Sequence, residues 1–409
     1  MKYAIVTFGC RVNQADSLAI EGELRARGAS AAPVESADLL IVNTCSVTAS
    51  ADQGARQTIR RVVRSNPGVR VVVTGCYASR RPDEVASLPN VAHVIRNGAK
   101  DTLVADLAGD LGLATNERFG DGAGPCGATL EPGVAGRTAL TLRVQTGCEE
   151  RCSYCIIPHT RGAGRSKPLT DVLRDVRQAI EAGYKEIAIT GVHLGSYGRD
   201  LKDGSSLSTL VSALAARPED VLFRISSLEP MDCTPDIVEM VAASPRLAPH
   251  FHLPLQHGSD RMLLLMRRPY TASFYVALVE RIHRLMPHAA VGTDLIVGFP
   301  GERDDDVETM HRVLEDLPLS HLHVFPYSDR PGTEAALLPD KVDGAAVRER
   351  GRQVRMIGER LSRSFRESQT GTSRRALTVD DGCSAVTDNY VKVRLSEPHK
   401  RNEWITVDL

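Results

Sequence analysis

The sequence predicts an α/β protein with three parts: an open parallel α/β sheet at the amino end, a central partial parallel β/α barrel, and a small carboxyl-terminal β module. Three observations predict it. Residues 1 to 118 alternate β-rich runs (KYAIVTFG, DLLIVNTC, VRVVVTGC) with amphipathic segments such as DSLAIEGELRARG, the pattern of a parallel α/β sheet. Between residues 137 and 365 the alternation resumes in TLRVQTG, EIAITGV, LFRISSLE, HFHLPLQ, GTDLIVGF and HLHVFPYS, each followed by a crossover long enough for a helix. From 366 to 409, ALTVDD, CSAVTDNYVKVRLSE and NEWITVDL are short alternating strands separated by turn residues.

Residues 119 to 136 are rich in Gly and Pro and read as a linker. They contain GAGPCG, a literal GxGxxG, but no strand precedes it and a proline interrupts it, so it lacks the context of a dinucleotide fingerprint. The chain has 409 residues, 42% hydrophobic and 25% charged, and no window approaches the ~18 apolar residues of a membrane span. MKYAIVTFGC reads directly as a strand rather than as a signal peptide, so a cytoplasmic protein with no membrane partner is expected. Net charge is −1, which leaves nucleic-acid binding to local patches. One such patch runs from Arg348 to Arg375, where nine arginines stand against Glu349, Glu359 and Glu367 on a mostly helical pattern. A solvated helix face explains that run equally well.

Nine cysteines in a chain of this size are read as metal ligands before disulfide staples. Cys10, Cys45 and Cys76 each end one of the first three predicted strands. In an open parallel sheet the carboxyl ends of neighbouring strands converge on one crevice, so the three thiols are expected to meet there. Three unrelated buried thiols are the plain alternative. Cys148, Cys152 and Cys155 form CxxxCxxC in TGCEERCSYCIIPHTRG, at the end of the first barrel strand. A structural zinc site needs a fourth ligand, for which His159 is the local candidate. An iron-sulfur cube held by three thiolates instead keeps one iron open.

CxxxCxxC at a first barrel strand resembles the radical S-adenosylmethionine (SAM) superfamily. FGCRVNQADS, VNTCSVT, VTGCYA, CSYCIIPHTRG, GVHLGSYG, ISSLEP, HLPLQHGSD, TDLIVGFPGE and FPYSDRPGTEA together resemble the methylthiotransferases, and the last module is similar to the RNA-binding TRAM domain. The resemblance implies two 4Fe-4S clusters: an auxiliary one on Cys10, Cys45 and Cys76, and a radical SAM cluster on the catalytic cysteines Cys148, Cys152 and Cys155. It also implies S-adenosylmethionine near Tyr154, Gly191, Glu229 and Gln256. Gly298, Ser259 and Asp260 stand at similar strand ends, although turn and helix-capping roles account for them as well. Cys126, Cys233 and Cys383 fall outside these motifs and are expected to be structural.

GCRVNQADS is most similar to the MtaB-type branch, which implies addition of a methylthio group to carbon 2 of N6-threonylcarbamoyladenosine at position 37 of tRNA. Branches acting on isopentenyladenosine in tRNA or on an aspartate of a ribosomal protein are the alternatives, and a non-catalytic iron-sulfur or zinc RNA-binding protein is a further one. The partners expected are a tRNA anticodon stem-loop and an electron donor such as flavodoxin or ferredoxin. Arg363 and Arg366 are expected on stem phosphates. Tyr390 and Trp404 are read either as base-stacking rings or as core.

Overall fold

The computed structural model describes residues 1–113 and 138–409, so most of the expected linker, with its Cys126 and the GAGPCG stretch, lies outside the described residues. The described chain divides into two compact units, one of residues 1–113, 141–150 and 155–183, the other of 138–140, 151–154 and 184–409.

In the first unit five parallel strands, β1 (Lys2–Thr7), β2 (Ser30–Ala31), β3 (Leu39–Thr44), β4 (Arg70–Gly75) and β5 (Val91–Ile95), lie in the order β2-β1-β3-β4-β5. The helices are α1 (Arg11–Ala26), α2 (Ala49–Ser65), α3 (Cys76–Arg80), α4 (Pro82–Ala86) and α5 (Leu103–Leu107). The central strand β3 is buried along its whole length, which is why it reads as a continuous apolar run. Its residues alternate between two cores. Leu40 and Val42 pack with Ala55, Ile59 and Val62 of α2, whereas Leu39 and Ile41 pack with Ile20 and Leu24 of α1 and Leu103 and Leu107 of α5. Each such side chain contributes about 1.5–3 kcal/mol by leaving water. Thr48 starts α2 by accepting from the Ala51 amide at 3.3 Å.

The chain continues through β6 (Leu140–Arg143), β7 (Gln145–Thr146), α6 (Ile157–Arg161), β8 (Arg165–Ser166) and α7 (Leu169–Glu181). Strands β7 and β8 pair antiparallel, Gln145 with Ser166, and so close the base of the loop that carries CxxxCxxC.

The second unit holds two parallel sheets. One contains the pair β9 (Glu186–Thr190) and β10 (Leu222–Ile225); the other is β11 (His250–His252), β12 (Ala290–Val297) and β13 (His321–Pro326). Helices α8 (Leu207–Ala215), α9 (Pro235–Ala243), α10 (Asp260–Leu265), α11 (Ala272–Leu285) and α12 (Asp304–Glu315) form the crossovers. The six strands expected, β6 and β9 to β13, are thus present, five of them in the two parallel sheets of the second unit. The arginine-rich run is helix α13 (Gly344–Gln369). It buries Gly351, Val354, Gly358 and Leu361, one face at helical spacing, and Gly358 admits Leu322 of β13 at close contact. The terminal module is the antiparallel sheet β16 (Lys392–Arg394), β15 (Ser384–Thr387), β14 (Ser373–Val379), β17 (Trp404–Asp408), in that order.

One polar network organises the interior of the first unit. The Asp16 carboxylate has no side-chain exposure and accepts from Lys100 at 2.9 Å, Arg161 at 3.0 Å and Arg143 at 2.5 Å. Lys100 also donates to Asn43 Oδ1 at 3.0 Å, and Arg161 to Asn13 Oδ1 at 2.5 Å and Thr146 Oγ1 at 3.1 Å. Asn13 Nδ2 in turn holds the carbonyls of Phe8 and Thr44. Burial raises the Asp16 pKa, but Lys100, Arg161 and Arg143 outweigh it and hold the carboxyl well below the usual range. Its folded pKa therefore lies under its unfolded value of about 3.9, so its contribution to stability is complete above that pH and is lost as pH falls through it.

Asp16→Asn is expected to cost about 3 kcal/mol at pH 7, because three cations lose their common partner. Urea unfolding of the full chain at pH 7 and at about pH 3, below the unfolded carboxyl pKa, followed by circular dichroism, reads this as a lower midpoint with a weaker acid dependence than the wild type.

Candidate functional site

The register of the first sheet explains why Cys10, Cys45 and Cys76 meet. Thr44 of β3 pairs directly with Gly75 of β4, and each is followed at once by a cysteine. Parallel strands lie about 4.8 Å apart, so those two cysteines start as neighbours. On the other side Thr7 of β1 pairs with Asn43 of β3, and Cys10 follows as the N-cap of α1. Gly75 makes the approach possible: at φ +101° its backbone runs so close to Thr44 that a Cβ would lie 2.2 Å from the Thr44 carbonyl oxygen. Gly9 plays the same part beside Cys10, since a Cβ there would lie 2.6 Å from Cys45 Sγ.

The thiols sense one another. Burial pushes the Cys45 thiol up to about 12, the Val47 amide opposes this, and the nearby Cys76 and Cys10 raise it further. Val47 N donates to Cys45 Sγ at 3.5 Å, and Asn97 Nδ2 to Cys76 Sγ at 3.6 Å. Behind them stands the Asp16 network with three cations against one buried carboxylate; Asp101, which also takes Arg143, is 62% exposed. Arg161 is buried, which alone would weaken its charge, but Asp16, Cys76 and Cys10 hold it protonated. A buried surplus of positive charge beside three thiols matches a group that brings negative thiolates with it. The residues therefore fit an iron-sulfur cluster held by three cysteines.

Of the second trio, Cys148 and Cys155 belong to the first unit and Cys152 to the second. The loop is anchored at its base: Cys148 N donates to the Gly162 carbonyl at 3.0 Å, and at Gly147, with φ +76°, a Cβ would lie 1.9 Å from the Ala163 carbonyl oxygen. Only glycine fits there. In the second unit Ser153 Oγ donates to Leu265 O at 2.7 Å, its amide to Met266 O at 3.2 Å, and its carbonyl accepts from Ala335 N at 2.8 Å. These bonds fix the short segment that presents Cys152 and Tyr154. All three cysteines are half-buried, and the eight described cysteines form no disulfide among themselves. His159, the candidate fourth ligand, lies exposed on α6.

Arg268 was not singled out by any motif, yet it is the residue that addresses this site in the second unit. Its Nη1 donates to Cys152 Sγ at 3.0 Å, its Nη2 to Glu229, and its Nε to Tyr270 Oη at 3.0 Å. Burial would lower its pKa, but Glu229, Tyr154, Tyr270 and Cys152 more than compensate and keep it a guanidinium. The available signal was a buried arginine in MRRPY; without a partner in view it resembles any other arginine. Glu229 precedes the turn Pro230–Asp232 and is thereby tied to the cysteine loop through Arg268.

The remaining candidates fall into place separately. Tyr154 sits against Phe299 edge-on at 6.4 Å, within a cluster of Met262, Met266 and Ala335. Gly191 directly follows β9 and is half-buried. Gln256 has φ +69° and bridges β12 through its amide to Asp294 O at 2.9 Å and its carbonyl from Ile296 N at 2.8 Å. Ser259 is the N-cap residue of α10, but its hydroxyl makes no capping bond and donates instead to Asp306 at 2.7 Å. Asp260 takes the Ala272 amide at 2.6 Å. At Gly298 a Cβ would strike Val347 of α13 at 2.3 Å. Cys233 is buried, with its thiol pushed up to about 12 by that burial, and Cys383 is half-buried. Tyr390 lies under the Arg224 guanidinium at 4.7 Å and against His250 at 4.6 Å, and Trp404 under Arg375 at 3.8 Å. Arg363 and Arg366 are exposed on α13.

Comparison with known proteins agrees with this geometry. Residues 2–96 match the family model described as Uncharacterized protein family UPF0004, and residues 142–314 match the Radical SAM superfamily. The threonylcarbamoyladenosine tRNA methylthiotransferase MtaB of Aquifex aeolicus is 35% identical, over 96% of this chain and 96% of that protein. MtaB of Bacillus subtilis is 34% identical, over 88% of this chain and 81% of that protein. Among solved structures, the radical S-adenosylmethionine methyltransferase TsrM from Kitasatospora setae, with cobalamin and a [4Fe-4S] cluster bound, shares the fold at a TM-score of 0.58 and 16% identity, covering 82% of this chain and 77% of that one. Two sheet-end cysteines set beside a third, a CxxxCxxC loop pinned at both ends, and this likeness along almost the whole chain lead to one conclusion: the chain belongs to the radical SAM methylthiotransferase family, of the MtaB type.

Proposed function

We propose that this protein adds a methylthio group to carbon 2 of N6-threonylcarbamoyladenosine at position 37 of tRNA. The observation that carries the reading is the meeting of Cys10, Cys45 and Cys76 at paired strand ends, in a chain that also carries CxxxCxxC and is 35% identical to a named enzyme of this activity over 96% of both lengths. Cys148, Cys152 and Cys155 hold one 4Fe-4S cluster, and Cys10, Cys45 and Cys76 hold the auxiliary one. When bound, the clusters and S-adenosylmethionine supply the one-electron chemistry that an unactivated C–H bond requires, since such a bond has no acidic proton for a general base.

The chain's own groups do the holding and the electrostatics. The Val47 and Asn97 donors stabilise charge on Cys45 and Cys76, and hydrogen bonds to cluster sulfurs set reduction potential. Arg268 does the same for Cys152 while fixing the Glu229 carboxylate, and Glu229, Tyr154, Gly191 and Gln256 are the residues we assign to the cofactor. The electron enters from a flavodoxin- or ferredoxin-type donor in the cytoplasm. An adenine in the anticodon loop is single-stranded, so presenting its edge costs less than flipping a base out of a duplex. Exposed arginines of α13, Arg363 and Arg366 among them, meet the stem phosphates; on the same helix Arg350, Arg352 and Arg360 are engaged by carboxylates.

Mass spectrometry of tRNA nucleosides from a host lacking and then regaining this chain is expected to show the methylthio mass on threonylcarbamoyladenosine. Its appearance on isopentenyladenosine instead, or on no nucleoside, would remove the reading. Anaerobic reconstitution is expected to load roughly eight irons per chain, four per cluster. Replacing Cys148, Cys152 and Cys155 with Ala should leave about four and abolish 5'-deoxyadenosine formation, whereas replacing Cys10, Cys45 and Cys76 should leave about four with 5'-deoxyadenosine still formed. Arg363→Glu with Arg366→Glu is expected to weaken tRNA binding and to reduce the slope of log affinity against log salt by roughly two; an unchanged salt series would exclude these arginines from the interface.

A further inference from the structure

The β11-β12-β13 sheet carries a cluster of imidazoles that no step above uses. His252, Gly292 and His321 are aligned across the three strands, and Asp294 is paired with His323 two residues further on, so all these positions share one face. The opposite face is the one that α13 covers, with Leu322 against Gly358 and Val297 near Gly351. One ligand nitrogen from each of His252, His321 and His323 lies within 4.8 Å of the others.

Three details give the cluster a direction. First, Gly292 supplies the room: a Cβ there would lie 2.0 Å from His321 Nε2, so the ring lies over the glycine. Second, the far side of the His321 ring is held: Ser320 Oγ, which donates to the Val291 carbonyl at 3.0 Å, lies 2.9 Å from His321 Nδ1, and Nε2 is the nitrogen above Gly292. A histidine whose far nitrogen is held by a neighbouring oxygen is the arrangement of a metal ligand. Third, Asp294 Oδ1 lies 3.0 Å from His252 Nε2 and 3.1 Å from His323 Nδ1. The Asp294 carboxyl group thus stands between two of the three rings.

The geometry points to a binding site for a borderline divalent cation of the zinc class, with His252, His321 and His323 giving nitrogen and Asp294 orienting the His252 and His323 rings through its hydrogen bonds. A tetrahedral ion with bonds of ~2.0 Å needs its donors about 3.3 Å apart, so the rings must close by roughly an ångström. His323, with 55% of its side chain exposed, has the freedom to turn in. The donor set contains no sulfur, which separates this site from both cysteine trios.

The test uses the full chain reconstituted with iron and sulfide, equilibrated with zinc and desalted. About one zinc per chain is expected, falling to less than about a tenth in His321→Ala and in His323→Asn, with iron and sulfide unchanged. His323→Asn alters an exposed side chain, so it remains informative if His321→Ala fails to fold. Zinc-edge X-ray absorption is expected to show nitrogen or oxygen neighbours at about 2.0 Å and no sulfur. Absence of zinc from the wild type, its retention in His323→Asn, or a sulfur shell at about 2.3 Å would overturn the site.

Discussion

A carboxylate sealed from water with three cations around it governs the interior of the first unit. Asp16 alone could not neutralise both Lys100 and Arg161, which are sealed in with it, and taking one further positive charge out of water would cost several kcal/mol without another partner. The imbalance is not a defect of packing. It faces Cys10 and Cys76, whose thiolates would supply the missing negative charge on holding a metal. The same network reaches Thr146 and Arg161, which flank the CxxxCxxC loop in the chain, through side chains rather than backbone.

Strand register gives that electrostatic arrangement its precision. A parallel ladder fixes which residues stand side by side, so a cysteine placed just beyond each of two paired residues needs no long side chain to meet its neighbour. The price is steric, and glycine meets it at Gly9 and Gly75, where any side chain would occupy the space of Cys45 or of the Thr44 backbone. Rigid strand ends suit a site whose ligands must be held to a fraction of an ångström.

Within the second unit the terminal module is locked to the strands beside it by polar contacts that cross more than a hundred residues of sequence. Arg224 of β10 is fully buried, binds Glu186, donates to the Asp388 carbonyl and lies over the Tyr390 ring. Arg375 binds Asp220 and covers Trp404. The two aromatic rings of the module thus already have cationic partners from the protein, which favours the packing role over base stacking and leaves the exposed arginines of α13 as the polar surface.

The sequence by itself determined the three cysteine-ended strands of the first part, the six strands of the central part, the parallel sense of both parts, the short strands of the last, and the spacing of both cysteine trios. Those features are written in short windows: β-branched runs with helical segments between them, and cysteines at fixed distances from strand ends or from one another. Gly191 and Gln256 were legible only as strand-end positions. Tertiary structure alone decided the charge partners, because Asp16 and Arg161 are 145 residues apart and Cys152 and Arg268 are 116 apart, and a single charged residue carries no periodicity to reveal its mate. It also decided that the histidines of HFH and HLH share a face with Asp294, since which side of a strand a residue takes is local, but which strands lie next to each other is not.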